Sequence, residues 1–141
     1  MEHFRKLERM YASAPINEHF QPVLSVRSGA AEVRIQLRED FHHSAGAVHG
    51  SVYFKALDDA TFFAANSIVE TVFVLTAQFE LDLLAPVSDG RILATARVTG
   101  EDARRIYAEG ELVDEAGQIL ARGRGAFARS KIPLGPEVNY R

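Results

Sequence analysis

The segment from about residue 49 to 67 reads as one long helix that is apolar on nearly every side. At about 100° per residue, a stripe suited to packing on a sheet is formed by Val52, Ala56, Ala60 and Phe63, with Tyr53, Leu57 and Ala64 beside them. The opposite face is also apolar and carries Phe54, Phe62 and Ala65. A helix that is apolar all round is normally buried on every side, but a single sheet covers only one side. We therefore expect a second copy of the chain to cover the other face, in a homodimer or a homotetramer.

Segments in which apolar and polar residues alternate make up most of the remaining chain. Residues 23–37 read as two short strands with a turn at Ser28 and Gly29, and four longer strands joined by tight turns follow the helix. Short turns favour antiparallel neighbours. Because only one long helix is available to cover the sheet, the pattern predicts an α+β fold. In it, the helix lies on a curved antiparallel sheet of about five to six strands.

The chain is expected to form a single domain with short additions at both ends. Residues 1–14 are predicted to hold a short amphipathic helix that Pro15 stops, and residues 15–131 form the domain itself. Residues 132–141 begin with a structure-breaking Pro-Leu-Gly-Pro run and are predicted to be a loose tail.

Composition excludes several classes of protein. The formal net charge of −3 argues against a broadly basic nucleic-acid surface. The absence of cysteine excludes disulfides, thiolate zinc sites and cysteine nucleophiles. No stretch approaches the roughly 18 apolar residues of a membrane span, and the N-terminal residues lack the apolar core of a signal peptide. We expect a soluble cytoplasmic protein that binds neither nucleic acid nor membranes.

Asp58 is the anomalous residue of the long helix, because it stands between Phe54 and Phe62 on the face that a second copy would cover. Burying an ionised carboxylate without partners costs several kcal/mol, in order of magnitude. Buried acids are therefore usually paired, protonated or functional, so Asp58 is either a hydrogen-bonded structural acid or a catalytic one. The next residue, Asp59, lies four residues after Lys55 and is expected to form an ordinary surface ion pair with it.

The start of the helix supplies complementary chemistry. Gly50 lies where backbone N–H groups lack internal partners and the helix dipole is positive, so a carbonyl oxygen placed there would be polarised. His42, His43 and His49 cluster just before it. Three histidines suggest a metal, but adjacent residues point in different directions and no second ligand cluster exists in the sequence. We therefore predict no metal site.

The run from His43 to Ser51, followed by Leu57-Asp58-Asp59-Ala60, resembles the PaaI-type (phenylacetate-degradation) thioesterases. These hotdog-fold proteins carry H-N-x-x-G-x-x-H-G-G, then L-x-D or a close variant, then a small residue. The resemblance extends over about residues 15–130. It implies a single hotdog domain, a central helix wrapped by the sheet, and hydrolysis of an acyl-CoA thioester to free acid and CoA. CoA would be part of the substrate, and no cofactor is implied.

The resemblance also implies roles for individual residues. The Gly50 N–H would point at the thioester carbonyl, and Asp58 from the facing subunit would act as general base or nucleophile. Thr76 matches the hydroxyl residue that helps to place the water. His49 marks the motif and fixes the loop. Basic residues near the last strand meet the phosphates of CoA in related proteins, and the candidates here are Arg124, Arg122 and Arg129.

The sequence departs from the family pattern at two positions: His43 replaces the asparagine that orients the carbonyl, and Ser51 replaces the second glycine. An imidazole N–H can donate the same kind of hydrogen bond, so His43 would preserve the role with a new dependence on pH. The alternative is a protein that lost activity and only binds acyl-CoA, and a purely structural oligomer is a third possibility. A hotdog dehydratase is disfavoured, because its acid would fall at Lys55.

Overall fold

The computed structural model describes residues 2–141. Its helices are α1 (Glu2–Ala12), α2 (Asn17–Phe20) and α3 (Gly50–Asn66). Its strands are β1 (Val23–Arg27), β2 (Ala30–Gln36), β3 (Val72–Leu83), β4 (Arg91–Glu101), β5 (Arg105–Val113) and β6 (Ile119–Pro133). Two single turns of 3-10 helix lie at Glu39–Phe41 and Pro136–Val138. None of the described helices is long and apolar enough to cross a membrane.

All six strands form one antiparallel sheet in the order β1-β2-β4-β5-β6-β3. The sheet curves around α3, whose Ala56, Leu57 and Ala60 are fully buried against it. Core side chains with no solvent exposure come from most strands, including Val33, Ile35, Ile106, Leu112 and Phe127. The predicted α+β fold, with one long helix on a curved antiparallel sheet, is confirmed. Ala65, predicted on the open face of the helix, is instead fully buried.

Strand β3 lies at one edge of the sheet and contains a bulge at Ala77. Thr76 pairs with Phe127, whereas Gln78 pairs with Ala126, so one extra residue is inserted in β3. Side chains directly opposite each other in an antiparallel pair lie on the same side of the sheet. The bulge therefore places Thr76 and Phe79, three residues apart, on the same inner surface facing α3.

The two ends of the chain meet beside the end of α3. In α1, Leu7, Met10 and Tyr11 are buried, and His3 Nδ1 lies 2.7 Å from the Tyr140 hydroxyl. The last residues differ from the loose tail predicted for 132–141. Strand β6 continues to Pro133, and the backbone N–H of Leu134 donates to the Thr71 carbonyl at 3.0 Å. Met1, which the predicted N-terminal segment includes, lies outside the described residues.

Candidate active site

Helix α3 and strand β3 run side by side in opposite directions, and four pairs of residues connect them. We call these eight residues the α3–β3 seam: Gly50 and Leu83, Phe54 and Phe79, Asp58 and Thr76, Phe62 and Phe73. The helix members are spaced four residues apart, so they form one stripe along α3. The stripe contains a single carboxylate, held between two aromatic pairs whose ring centroids lie 5.3 and 5.2 Å apart.

Asp58 is half-buried in this seam, and the Thr76 hydroxyl donates a hydrogen bond of 2.9 Å to its Oδ1. Burial raises the pKa of Asp58 to about 6, and the Asp59 charge also raises it, whereas the Thr76 hydrogen bond and the Lys55 charge lower it. A carboxyl group of this kind is ionised at neutral pH and more basic than an exposed aspartate. The arrangement suits proton abstraction or nucleophilic attack.

Asp59 lies in a different environment, and its predicted surface ion pair with Lys55 is wrong in one respect. The pair forms at 2.6 Å, but the two side chains are only 15% and 12% exposed. Helix α1 covers them, and the Tyr11 hydroxyl donates to the same Oδ2 at 2.5 Å. Sequence reasoning missed Tyr11, because its contact with Asp59 joins residues 48 positions apart.

The start of α3 is capped by His49. Its Nδ1 accepts a hydrogen bond from the Ser51 backbone N–H at 3.0 Å and lies 2.8 Å from the Ser51 hydroxyl. Gly50 follows as the first helical residue, so its own N–H has no partner within the helix. A Cβ atom at Gly50 would meet Leu83 at an ordinary contact distance of 3.5 Å. Packing within the chain therefore does not require glycine here.

His43 is exposed in the loop before the helix, and its Nδ1 accepts a hydrogen bond from the Ala45 backbone N–H at 3.1 Å. A neutral His43 ring in this geometry carries its proton on Nε2, which is then available as a donor. His42 lies elsewhere, with its Nε2 2.7 Å from the Ser88 carbonyl oxygen. Within residues 2–141, no cluster of three or more histidine and acidic side chains is arranged to hold a metal ion.

Gly50 and Asp58 do not meet within one chain. They are eight residues apart on the same helix, which corresponds to about 12 Å along its axis at 1.5 Å per residue. A carbonyl group that accepts a hydrogen bond from the Gly50 N–H is therefore too far from the Asp58 carboxylate of the same chain to react with it.

The three candidate CoA-binding arginines lie away from the seam. Arg122 and Arg124 alternate along β6 with the inward-facing Gly123, so they project from the outer surface of the sheet. There they line a cleft of about 540 Å³. Each candidate has an acidic partner: Arg122 pairs with Glu111 at 3.1 Å, Arg124 pairs with Glu80, and Arg129 pairs with Glu101 at 2.7 Å. Their predicted role stays a prediction.

Comparison with known proteins agrees with this architecture. The model of the thioesterase superfamily matches residues 45–121, which is more than half of the chain and includes Gly50, Asp58 and Thr76. The chain belongs to the thioesterase superfamily. A protein of Saccharolobus solfataricus that is provisionally named an esterase is 23% identical over 89% of this chain and 86% of its own length.

Solved structures share the fold. The E. coli PaaI protein from the phenylacetic acid degradation operon superposes with a TM-score of 0.85 and 21% identity, over 94% of this chain and 96% of that one. A mutant of phenylacetic acid degradation protein PaaI from Thermus thermophilus gives a TM-score of 0.74 and 24% identity, over 82% and 99% of the two chains. These findings confirm the hotdog fold and the predicted resemblance to PaaI-type thioesterases.

Proposed function

We propose that this thioesterase-superfamily member hydrolyses an acyl-CoA thioester to a free acid and CoA. Asp58 acts as general base or nucleophile, and the Gly50 N–H polarises the thioester carbonyl. The observation that carries the proposal is the setting of Asp58: a half-buried carboxylate in an aromatic seam, held by Thr76, with its pKa raised to about 6. Such a group accepts a proton readily while staying ionised at neutral pH.

The active site is composite, with Gly50 from one copy and Asp58 from the other. The separation of about 12 Å between them within one helix supports this arrangement. So does the exposed apolar surface on this side of α3, where Phe54 is 42% exposed next to β3, the edge strand of the sheet. Two copies related by a two-fold axis would set their α3 helices antiparallel and bring each Gly50 opposite an Asp58. A homodimer is then the smallest active unit, and a homotetramer would contain two such units.

The reaction follows from these positions. Thr76 and Asp58 hold a water, Asp58 takes its proton as the oxygen attacks the carbonyl carbon, and the Gly50 N–H stabilises the oxyanion. Collapse of the tetrahedral intermediate breaks the C–S bond and releases the CoA thiolate, which needs little acid assistance. In the nucleophilic variant, the Asp58 carboxylate attacks directly and water hydrolyses the resulting anhydride. His43 Nε2–H is a second donor toward the carbonyl, and His49 fixes the loop.

The CoA phosphates are assigned to the basic residues of β6, with Arg124 first and Arg122 and Arg129 as further candidates. Each of these arginines would have to share its charge between its present acidic partner and a phosphate. Replacing Arg124 with Gln should raise KM for acyl-CoA without a matching fall in kcat, whereas a small thioester lacking the nucleotide should be unaffected.

The first test is a panel of aryl, short-chain and medium-chain acyl-CoA thioesters with free-thiol detection. We expect turnover by the wild type and a loss of about 100-fold or more in kcat for Asp58→Asn. The replacement of the family asparagine by His43 favours one other candidate, a non-catalytic acyl-CoA-binding protein. That alternative predicts saturable binding without turnover of any thioester and little effect of Asp58→Asn on affinity.

Gly50→Pro isolates the backbone donor. Proline is accepted at the first position of a helix and lacks only the N–H that the mechanism uses. The extended conformation of His49, φ −62° and ψ 143°, is compatible with a following proline. We expect Gly50→Pro to be folded and to lose kcat, whereas Gly50→Ala keeps the donor and serves as the control.

Mixing the two inactive variants tests whether the site is shared. A dimer of one Asp58→Asn chain and one Gly50→Pro chain has one intact site, made of Gly50 from the first and Asp58 from the second. Random re-association of equal amounts should restore about a quarter of wild-type activity, because half of the dimers are mixed and half of their sites are intact. Absence of any recovery would contradict a composite site.

A further inference from the structure

Asp58 and Asp59 are adjacent carboxylates, but only Asp59 is matched with a cation. The Lys55 ammonium lies 2.6 Å from Asp59 Oδ2, and Tyr11 donates to the same oxygen at 2.5 Å. The ammonium also lies over two aromatic rings, 5.1 Å from the centroid of Tyr11 and 5.4 Å from that of Phe20. Four contacts from α1, α2 and α3 thus hold one cation and one anion together.

These contacts all lie on the Asp59 side of α3 and draw the Lys55 ammonium toward that side. Lys55 is three residues before Asp58 and four before Asp59, so either carboxylate is within its reach on a helix surface. The aromatic rings and the Tyr11 hydroxyl belong to the N-terminal helices, which cover the Asp59 side of α3. The seam with β3 lies on the Asp58 side, where Thr76 is the hydrogen-bond donor to the carboxylate.

We propose that Tyr11, Lys55 and Asp59 form a positioning network that keeps the Lys55 ammonium away from Asp58, so that Asp58 retains the basicity its role requires. This inference rests on the proposed function of Asp58, and it assigns the three network residues a role that acts through Asp58. Lys55 lies at the position where a hotdog dehydratase would carry its acid. In this protein, its proposed role is to pair with Asp59.

The charges around Asp58 give the direction of the effect. On α3, Asp59 raises the pKa of Asp58 and Lys55 lowers it, while Thr76 on β3 lowers it through its hydrogen bond. Tyr11 on α1 stays protonated, because burial and Asp59 raise its pKa. Asp59→Asn removes the anion and releases the cation, and both changes lower the pKa of Asp58. A second substitution at Lys55 removes the released cation.

The experiment is a kcat/KM–pH profile for wild type, Asp59→Asn and the double variant Lys55→Gln/Asp59→Asn. The acidic limb of the wild type should lie near the Asp58 pKa of about 6. In Asp59→Asn, we expect it to move to lower pH by about half a unit or more. In the double variant, we expect the acidic limb to return to within a few tenths of a unit of wild type. The reason is that two uncharged side chains replace an ion pair of zero net charge, so the net charge near Asp58 is unchanged.

Controls separate this network from general effects of charge or stability. Glu109→Gln removes one carboxylate from the ion pair with Arg97 on the outer surface of the sheet and should leave the limb in place. Lys55→Gln/Asp59→Asn leaves no unpaired buried charge and carries the test if Asp59→Asn does not fold. A limb that moves by more than about half a unit in the double variant, or that stays at the wild-type pH in folded Asp59→Asn, overturns the proposal.

Titration of Asp58 by ¹³C-carboxyl NMR, assigned with Asp58→Asn, gives the same comparison without catalysis. If wild-type protein turns over no thioester, the proposed function fails, but the shifts of the Asp58 titration still decide whether the network exists. If turnover is found and Asp59→Asn titrates like wild type, the network alone is rejected.

Discussion

Asp58 and Asp59 are neighbours on α3, but they lie on two sides of the helix with different environments. On the side facing β3, Asp58 has a hydroxyl donor and two flanking aromatic pairs. On the side facing α1, Asp59 has an ammonium and a phenol on one oxygen. Burial raises the pKa of both carboxyl groups and the Lys55 charge opposes both shifts, but the Lys55 ammonium forms its ion pair with Asp59 and not with Asp58.

The two acids therefore have different roles on one helix: Asp59 contributes to packing, and Asp58 is the candidate catalytic group. A buried acid that is paired and hydrogen-bonded contributes to a defined packing of α1 on α3, while an acid left without a cation costs stability and gains basicity. Substitutions on either side of the helix test this difference between Asp58 and Asp59.

The largest effect is expected from Lys55→Met, which leaves the Asp59 carboxylate without its cation. Removing one partner of a buried pair typically costs about 3 kcal/mol or more of unfolding free energy. Chemical denaturation near pH 7 measures the loss. Arg97→Met breaks an exposed ion pair of similar length, 2.7 Å, and should cost less than about 1 kcal/mol. Equal costs for the two variants would contradict the buried character of the Lys55–Asp59 pair.

Gly123→Ala tests the packing of β6 beneath the Phe79 ring of the α3–β3 seam. A Cβ atom at Gly123 would lie 2.6 Å from Cζ of Phe79, whose ring fills the space above the glycine. Because the ring also contacts Phe54, we expect a loss of about 2 kcal/mol from overpacking. Gly100→Ala is the matched control, since a Cβ there meets no atom within 4 Å. Thermal unfolding of both variants makes the comparison, which fails if Gly100→Ala is the more damaging.

Asp58→Asn should stabilise the protein at high pH. The folded pKa of about 6 lies above the ordinary value of 3.8, so the folded state binds the proton more tightly than the unfolded state. Wild-type stability therefore falls as the pH rises from about 4 to 6 and then stays level. At pH 8, we expect the variant to be more stable by about 1 to 2 kcal/mol, after allowance for partial exposure of Asp58.

At pH 3.5, both proteins are neutral at this position and the difference should disappear. Denaturation midpoints measured across this pH range provide the check. A difference that is constant with pH would mean that it does not arise from the Asp58 charge.

Thr76→Val removes the hydroxyl while preserving the shape of the side chain. Since the Thr76 hydrogen bond lowers the pKa of Asp58, its loss should move the acidic limb of kcat/KM to higher pH. It should also reduce kcat, because the water loses one of its two anchors. Thr76→Ser keeps the donor and should retain the wild-type limb. If serine and valine variants shift alike, the hydroxyl is not responsible.

The smallest effect is expected at His43. The ring donates through Nε2 in the geometry described above, and an asparagine amide donates the same kind of hydrogen bond. We expect His43→Asn to keep most of kcat and His43→Ala to lose about tenfold, because the carbonyl then lacks its second donor. Equal kcat values for the two variants in the free-thiol assay would exclude His43 as a carbonyl donor.

Much of this arrangement could be predicted because it depends on local spacing. The apolar stripe of α3, the start of the helix at about Gly50 and the turn at Gly29 follow from residues close together in sequence. The position of Asp58 between Phe54 and Phe62 was visible for the same reason, since residues four apart share a helix face. A resemblance between short motifs was enough to add the hotdog fold, and the match to the thioesterase superfamily confirms it.

Other features could not be predicted because they depend on contacts between distant segments. The bulge at Ala77 changes which β3 side chains face the helix, and no local signal marks it. The burial of Asp59 depends on Tyr11, which comes from a helix outside the hotdog motif. The position of Tyr140, near one end of the chain, involves a contact with His3 at the other end.

The sequence by itself determined the long apolar helix, the antiparallel sheet and an acid placed where burial makes it costly, since periodicity and motif spacing are local properties. Only the tertiary structure decided what distinguishes Asp58 from Asp59. Both are aspartates on one helix, but the elements packed against them supply a hydroxyl to one and a cation to the other. The environment of a carboxylate is the sum of desolvation and nearby charges, and those come from the whole fold.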